Sequence, residues 1–365
     1  MRIAIVGAGL AGLACAHELE RLGFAPELFE KRPSVGDRMQ TPETMAQFLH
    51  HNPGQDLFRY IRDELMLPLH PAHAMIRMVI HSPNHEGEIS GRLGYVTIRG
   101  RDERSMEYQL LRHISTPIHY NTSPDVNDLR REYDHVVVAT GNQSWTRQLT
   151  RWEDDLGWWA RGALVKGDFT PGELHFFFNT RYAKTGYCLL SALDERTATA
   201  GVAIPEASAE ELEAHWQVFR LEQGHWWQSE VEQFQFEQYE CGRCGSVAVG
   251  NVLLVGAAAG FVESLGMNGV CASLTSGVMA ARQIALQDRS LERFARRWRI
   301  YSGRLARLRR NVNAWTDEEM DRMAQAVKMG AGLLTHSPWN LVVPGGLLLD
   351  MLRLADDPSP EVGWQ

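Results

Sequence analysis

None of the 365 residues lies in an apolar run long enough to cross a bilayer; the nearest approach, residues 247–262, is interrupted by Asn251 and reads as a buried strand with its turn. Cysteine is scarce and odd in number, five in all, which excludes a disulfide framework and fits reduced thiols. Basic residues are in deficit, 37 against 45 acidic ones, and the net charge of −8 argues against nucleic acid as a partner. No G-x-S-x-G elbow and no H-E-x-x-H occurs, so hydrolase chemistry has no anchor in the chain. The 14 histidines are scattered, and neither His50-His51 nor the His70/His73 pair has a third partner at metal spacing, which predicts no metal centre. The first strand begins two residues after Met1, without room for a secretion signal, so the expected location is the cytoplasm.

What is present begins at once. Residues 3–12 read Ile-Ala-Ile-Val-Gly-Ala-Gly-Leu-Ala-Gly, an apolar strand running into a G-x-G-x-x-G turn with a small-residue helix after it. Gly7 suits the tight turn, Gly9 lets backbone approach a pyrophosphate and Gly12 lets the helix pack close, while Ala8, Leu10 and Ala11 lend their N–H groups to the anion. A second strand through residues 27–30 ends on Glu30, about 20 residues past the glycines, where a carboxylate takes ribose hydroxyls. Lys31 opens a loop containing Arg38 that can return toward the phosphates. Strand, glycines, helix, strand and acid in this order specify a dinucleotide-binding entrance.

Farther on, residues 45–65 read as a helix, 95–98 as a short strand and 105–114 as a helix with Met106, Leu110, Leu111 and Ile114 at helical spacing. Residues 133–141 form an apolar run closing on Gly141, the pattern of a buried parallel strand that returns to the first sheet. Between about 152 and 244 the chain turns aromatic and alternating, at 173–179, 186–193 and 197–204, which predicts an antiparallel sheet. Ser208 and Glu211 stand at capping-box spacing ahead of a helix through residue 224. A strand at 251–256, a small-residue helix at 270–285 and an Arg-rich helical region complete the chain.

Four separated segments resemble the FAD-dependent geranylgeranyl reductase family, within the wider group of aromatic-ring hydroxylases and flavin halogenases. They are the N-terminal fingerprint with Glu30; residues 95–99, whose Arg99 stands where the family brings an Arg to the cofactor, with Arg101 and Arg104 as alternatives; residues 139–147, similar to A-D-G-x-x-S-x-x-R but with Thr140 for the Asp before Gly141; and residues 256–270, similar to G-D-A-A-G-F-V-x-P-L-x-x-x-G, with Ala257 for the Asp and Ser264 for the Pro. The last block ends a strand at Gly256 and opens a helix at Gly266, Met267, Asn268 and Gly269, whose N–H groups can face the pyrimidine oxygen of a flavin. Residues 186–192 are similar to the family's cavity strand G-Y-x-W-x-F-P; Gly186 and Tyr187 match, but Leu189, Ser191 and Ala192 do not. The halogenase segment W-x-W-x-x-P is absent.

The resemblance implies an α/β flavoprotein, glutathione-reductase-like, with an FAD-binding part at 1–150 and 245–285, a substrate sheet at 151–244 and helices at 286–365. It implies FAD as cofactor, a nicotinamide as transient electron donor and an apolar, prenyl or lipid-like substrate whose carbon–carbon double bond is reduced. A flavin monooxygenase and a non-catalytic flavoprotein with weakened FAD binding remain open alternatives, because an alanine methyl at 257 accepts no hydrogen bond. Phe176, Phe178, Tyr187 and Leu189 are the expected substrate lining, with plain core as the other reading; Glu263, Tyr187 and Cys188 are candidate proton donors. Cys241-Gly242-Arg243-Cys244 reads either as a redox dithiol activated by Arg243 or as two unrelated thiols. The nine arginines between 289 and 310, with the apolar segment 339–354, read either as a contact with anionic lipid or as a solvated helix.

Overall fold

A computed structural model describes residues 1–37, 42–50 and 55–330. Arg38 and the segment 339–354 lie outside the described residues. Along the chain run β1 (Ile3–Val6), α1 (Leu10–Arg21), β2 (Glu27–Phe29), β3 (Pro42–Ala46), α2 (Leu57–Asp63), β4 (His73–His81), β5 (Glu86–Ile98), α3 (Met106–Leu111), β6 (Ile118–His119), α4 (Val126–Glu132), β7 (His135–Val138) and α5 (Thr146–Leu149). They are followed by β8 (Trp152–Lys166), β9 (Glu173–Phe177), α6 (Thr180–Ala183), β10 (Tyr187–Ala192), β11 (Thr197–Pro205), α7 (Ala209–Gln223), β12 (Ser229–Cys244), β13 (Ala248–Val249) and β14 (Val252–Leu254). Three helices close the described chain, α8 (Val270–Leu286), α9 (Ser290–Val312) and α10 (Asp317–Gly330).

One sheet has the order β13-β14-β7-β1-β2-β6, parallel from β14 to β6. β1 is buried along its whole length at the centre, as its unbroken apolar sequence demands. The helices α1 and α8 pack against each other at a glycine contact, since a Cβ on Gly277 would stand 2.1 Å from the Ala11 carbonyl oxygen. The predicted strand at 133–141 takes its expected place as β7, between β1 and β14.

The second sheet has the order β12-β8-β11-β10-β9-β4-β5-β3, antiparallel except for the parallel pair β4 and β9. Three of its eight strands come from residues 42–98, a stretch assigned on sequence to the nucleotide-binding part, so a boundary at residue 151 does not divide the sheets. The helix expected over 45–65 is reduced to α2 among the described residues: Met45 and Ala46 pair instead with Tyr95 and Gly94 of β5. The short strand expected at 95–98 is the end of the 13-residue β5. α7 forms with both bonds of the Ser208–Glu211 capping box and buries Leu212, Trp216 and Phe219 against one face of this sheet. The opposite face, continued by α9 and α10, turns to the first sheet and encloses a cavity. Among the described residues no helix is long and apolar enough to span a membrane.

Candidate functional site

The cavity, 650 Å³ in volume, runs from the first glycine turn to the second sheet. At its nucleotide end Gly7 has a φ of +109°, a conformation that disfavours a side chain, and a Cβ there would meet the Ala139 carbonyl oxygen at 2.4 Å. A Cβ on Gly12 would lie 1.9 Å from the Gly7 carbonyl oxygen, so α1 starts this close to the turn only with glycine at 12. Gly9 is different: a Cβ there meets nothing within 4 Å, because it faces the cavity. The Glu30 carboxylate, buried, accepts from the Ala8 N–H at 2.8 Å and the Arg32 N–H at 2.9 Å. It is thereby fixed at the cavity wall beside the turn.

The other end is built around Glu263. This wholly buried carboxylate accepts from the backbone N–H groups of Leu265, Gly266 and Asn268 at 2.5, 3.0 and 2.9 Å, which folds residues 263–269 into a compact turn ahead of α8. Burial pushes its pKa up to about 7, against the pull of those three donors. Met267, at φ 60°, holds a backbone conformation that non-glycine residues seldom adopt. The turn is anchored from the second sheet as well: the Trp158 indole donates to the Ser264 carbonyl at 3.1 Å and the Tyr187 hydroxyl to the Gly266 carbonyl at 3.1 Å.

Helix starts differ in their caps, and α5 and α9, with Trp145 and Arg289 at the N-cap, lack a side-chain cap. Asp56, Ser105, Asp125, Asn179 and Ser208 cap α2, α3, α4, α6 and α7 with their side chains. The starts of α1 and α8, which both line the cavity, have glycine N-caps, no side-chain cap and no acid in the first turn. Helix N-terminal N–H groups left open at both ends of one cavity suit a ligand with an anionic centre and a second electron-rich edge.

Between the ends the second sheet supplies an apolar wall in cross-strand rows. Ala203 and Tyr187 face the turn at 263–269; Gly201, Leu189, Phe176 and Ile80 follow; Thr199, Ser191, Leu174 and Met78 come next. Met323 and Val327 of α10 cover it. One charge intrudes: Arg309 of α9 is 3% exposed, bonds only neutral acceptors, the Thr185 carbonyl and Asn313 Oδ1, and lies over the Trp158 ring at 5.1 Å. Burial lowers its pKa to about 10.

Of the residues singled out on sequence, Gly7, Ala8, Gly9, Leu10, Ala11, Glu30, Lys31, Arg99, Thr140, Gly141, Gly256, Ala257, Gly266, Met267, Asn268 and Gly269 all line this cavity, as do Phe176, Phe178, Tyr187 and Leu189. Gly12 serves packing beneath it. Arg99, rather than Arg101 or Arg104, is the arginine at the wall; it is clamped between Glu43 at 2.8 Å and Glu107 at 2.7 Å, while Arg101 pairs with Asp37 and Arg104 with Asp102. Cys188 as a proton donor is corrected: it sits on the opposite face of β10, bonded to the Tyr182 carbonyl, because neighbours along a strand point to opposite sides. Glu263 is engaged with backbone N–H groups behind the wall. Of the two readings of Cys241 and Cys244, the geometry favours unrelated thiols: they are buried in separate apolar clusters, burial pushes both up, Cys244 to about 11, and Arg243 is turned to Asp155. Sequence reasoning missed Arg309 by counting it among the outward arginines; its spacing from Leu305, Leu308 and Val312 on the buried face of α9 was the available signal.

Residues 5–63 match the model of an NAD(P)-binding Rossmann-like domain. The chain is 24% identical over 360 residues to digeranylgeranylglycerophospholipid reductase 2 of Methanothermobacter thermautotrophicus, covering 89% of this chain and 91% of that protein. Among solved structures it is similar to a geranylgeranyl bacteriochlorophyll reductase-like protein of Thermoplasma acidophilum, with a TM-score of 0.73 and 15% identity over 99% of this chain and 97% of the other. It is also similar to a flavin-dependent brominase, at 0.63 and 13–14% identity with 97–98% of each chain covered for the mutant with TM-score 0.63 and its parent at 0.61. The resemblance to the geranylgeranyl reductases and their flavin-dependent neighbours that the four segments carry is thus borne out, and so is a mixed α/β fold with a Rossmann-like part.

Proposed function

We propose that this chain is an FAD-dependent oxidoreductase that reduces a carbon–carbon double bond in an apolar substrate, in a glutathione-reductase-like arrangement. The carrying observation is the pair of uncapped helix starts, α1 and α8, at opposite ends of one cavity whose third side is apolar sheet. The residues fit the cofactor: Gly9 leaves room over the backbone for a pyrophosphate, Glu30 offers its carboxylate to the adenosine ribose, and Met267 and Gly269, whose N–H groups Glu263 does not take, stand at the pyrimidine edge of the ring. Bound FAD supplies a hydride equivalent, and a nicotinamide donor replenishes it.

The chain's own part is to place the substrate and exclude water. Phe176, Leu189 and Ile80 hold an apolar body against the ring end, and Tyr187, whose hydroxyl is held on the Gly266 carbonyl, is the group stationed to pass a proton there. Arg309 places a fixed positive charge beside the same turn, where negative charge grows on reduction. The test is a visible spectrum of the purified full chain, with mass spectrometry of what it carries, followed by anaerobic turnover of a polyprenyl alkene with a nicotinamide donor. A yellow protein that saturates the alkene without dioxygen is expected. A colourless chain that takes up no FAD overturns the reading, and strict dependence on dioxygen replaces it with a monooxygenase.

A further inference from the structure

Ser191 and Thr199 face each other across β10 and β11, in the row of the cavity wall farthest from the ring-end turn. They are 2% and 4% exposed, and among the described residues the hydroxyl oxygens of both have no hydrogen-bond partner. Leaving a buried hydroxyl unpaired is destabilising, and two adjacent ones on a wall otherwise made of Leu174, Met78 and Ile89 serve no packing purpose. Position 191 is also where this chain departs from the cavity strand of the family it resembles, with a small hydroxyl residue in place of an aromatic.

We propose that Ser191 and Thr199 form a polar subsite for a neutral oxygen function, a carbonyl or hydroxyl, on the substrate of the proposed reaction. The group is neutral because the cavity-lining members of this row carry no charge, and each hydroxyl both donates and accepts. Four residue steps along β10 lead from Tyr187 to Ser191, so that oxygen stands about 13 Å from the ring end, with Leu189, Gly201 and Phe176 lining an apolar stretch between. The substrate is therefore an oxygenated amphiphile rather than a plain hydrocarbon chain. This inference rests on the proposed function for the identity of the site, and its test is separable.

The full chain is titrated with 2-undecanone and with undecane, read by the flavin spectrum and, independently of flavin, by tryptophan fluorescence. The wild type is expected to bind the ketone about 10-fold more tightly than the alkane, the worth of two neutral hydrogen bonds. Thr199→Val with Ser191→Ala removes that preference, changes alkane binding by less than about 2-fold, and raises the thermal midpoint of the ligand-free protein because unpaired hydroxyls leave the interior. Thr199→Val alone, of nearly unchanged shape, gives half of each effect. Equal binding of the two probes by the wild type, or equal loss of both in the variants, overturns the subsite. A colourless protein that still prefers the ketone overturns the flavin reading and leaves the subsite standing.

Discussion

The two ends of the cavity are made of different material. At the nucleotide end the wall is backbone: a glycine turn, an open helix start and one carboxylate, all within residues 3–30. At the ring end the wall is side chains brought from far apart, Tyr187 of β10, Trp158 of β8 and Arg309 of α9, gathered around a turn that Glu263 folds from within. The first kind of wall is tolerant of everything except a change of shape; the second is sensitive to charge.

Substitutions that act on one end alone sharpen this contrast. The largest effect is expected at Gly12→Val, whose Cβ would overlap the Gly7 carbonyl; little folded protein should be recovered, measured by circular dichroism and gel filtration. Gly9→Val has space in the protein and should keep its thermal midpoint within a few degrees, yet lose FAD affinity by roughly 100-fold, since the side chain fills the approach to the helix start. If both variants unfold alike, the distinction between packing glycine and ligand glycine is wrong.

At the ring end Arg309→Met removes a buried charge that makes no direct salt bridge among the described residues and feels Glu263 only at a distance. The fold should tolerate it, while the midpoint potential of bound flavin falls by about 30 mV, a tenfold change for a two-electron couple, in a dye-linked redox titration. An unchanged potential would place that charge away from the ring.

Glu263 gives the pH signature. Its pKa in the folded protein lies near 7, above the ordinary carboxylate value, so the folded state binds the extra proton and the penalty of burying the charge is relieved as pH falls from about 7 toward 4.5. The same protonation weakens its hold on the N–H groups of Leu265, Gly266 and Asn268. From pH 8 to 6 FAD affinity should fall several-fold while the thermal midpoint rises relative to Glu263→Gln, whose affinity profile should be flat; parallel curves for the two proteins would remove Glu263 from the control of the turn. The smallest effect is expected at Ala257→Asp, which restores an acceptor at the wall and should tighten FAD by about 5-fold, the worth of one hydrogen bond, in a fluorescence titration.

The same contrast explains what could be read in the sequence. Everything built from consecutive backbone was legible: β1, the glycine turn, α1, Glu30, β7, the turn at 256–269 and the Ser208 capping box each follow from a local pattern. The second sheet was legible only where it is contiguous. Its strands β3, β4 and β5 interrupt the nucleotide-binding sequence, and pairing between His81 and Phe177, 96 residues apart, leaves no local trace. Met45 was misread because apolar spacing around it suits a helix, whereas its partner Tyr95 holds it in a strand. Arg309 carries an exposed-residue composition and a buried-residue phase, and only the phase told the truth. The two cysteines at 241 and 244 show the converse, a redox spacing placed on a bulged strand where packing, not chemistry, sets their surroundings.

The alternation along β10 separates inheritance from novelty within six residues. Cys188 and Leu190 are committed to the layer under α7, so drift there would endanger the whole molecule, but Leu189 and Ser191 face the chamber, where Leu189 packs only along its lining. A lineage carrying this strand can exchange its diet through every second codon while the intervening ones stay frozen, and new specificities would then arise in steps of two.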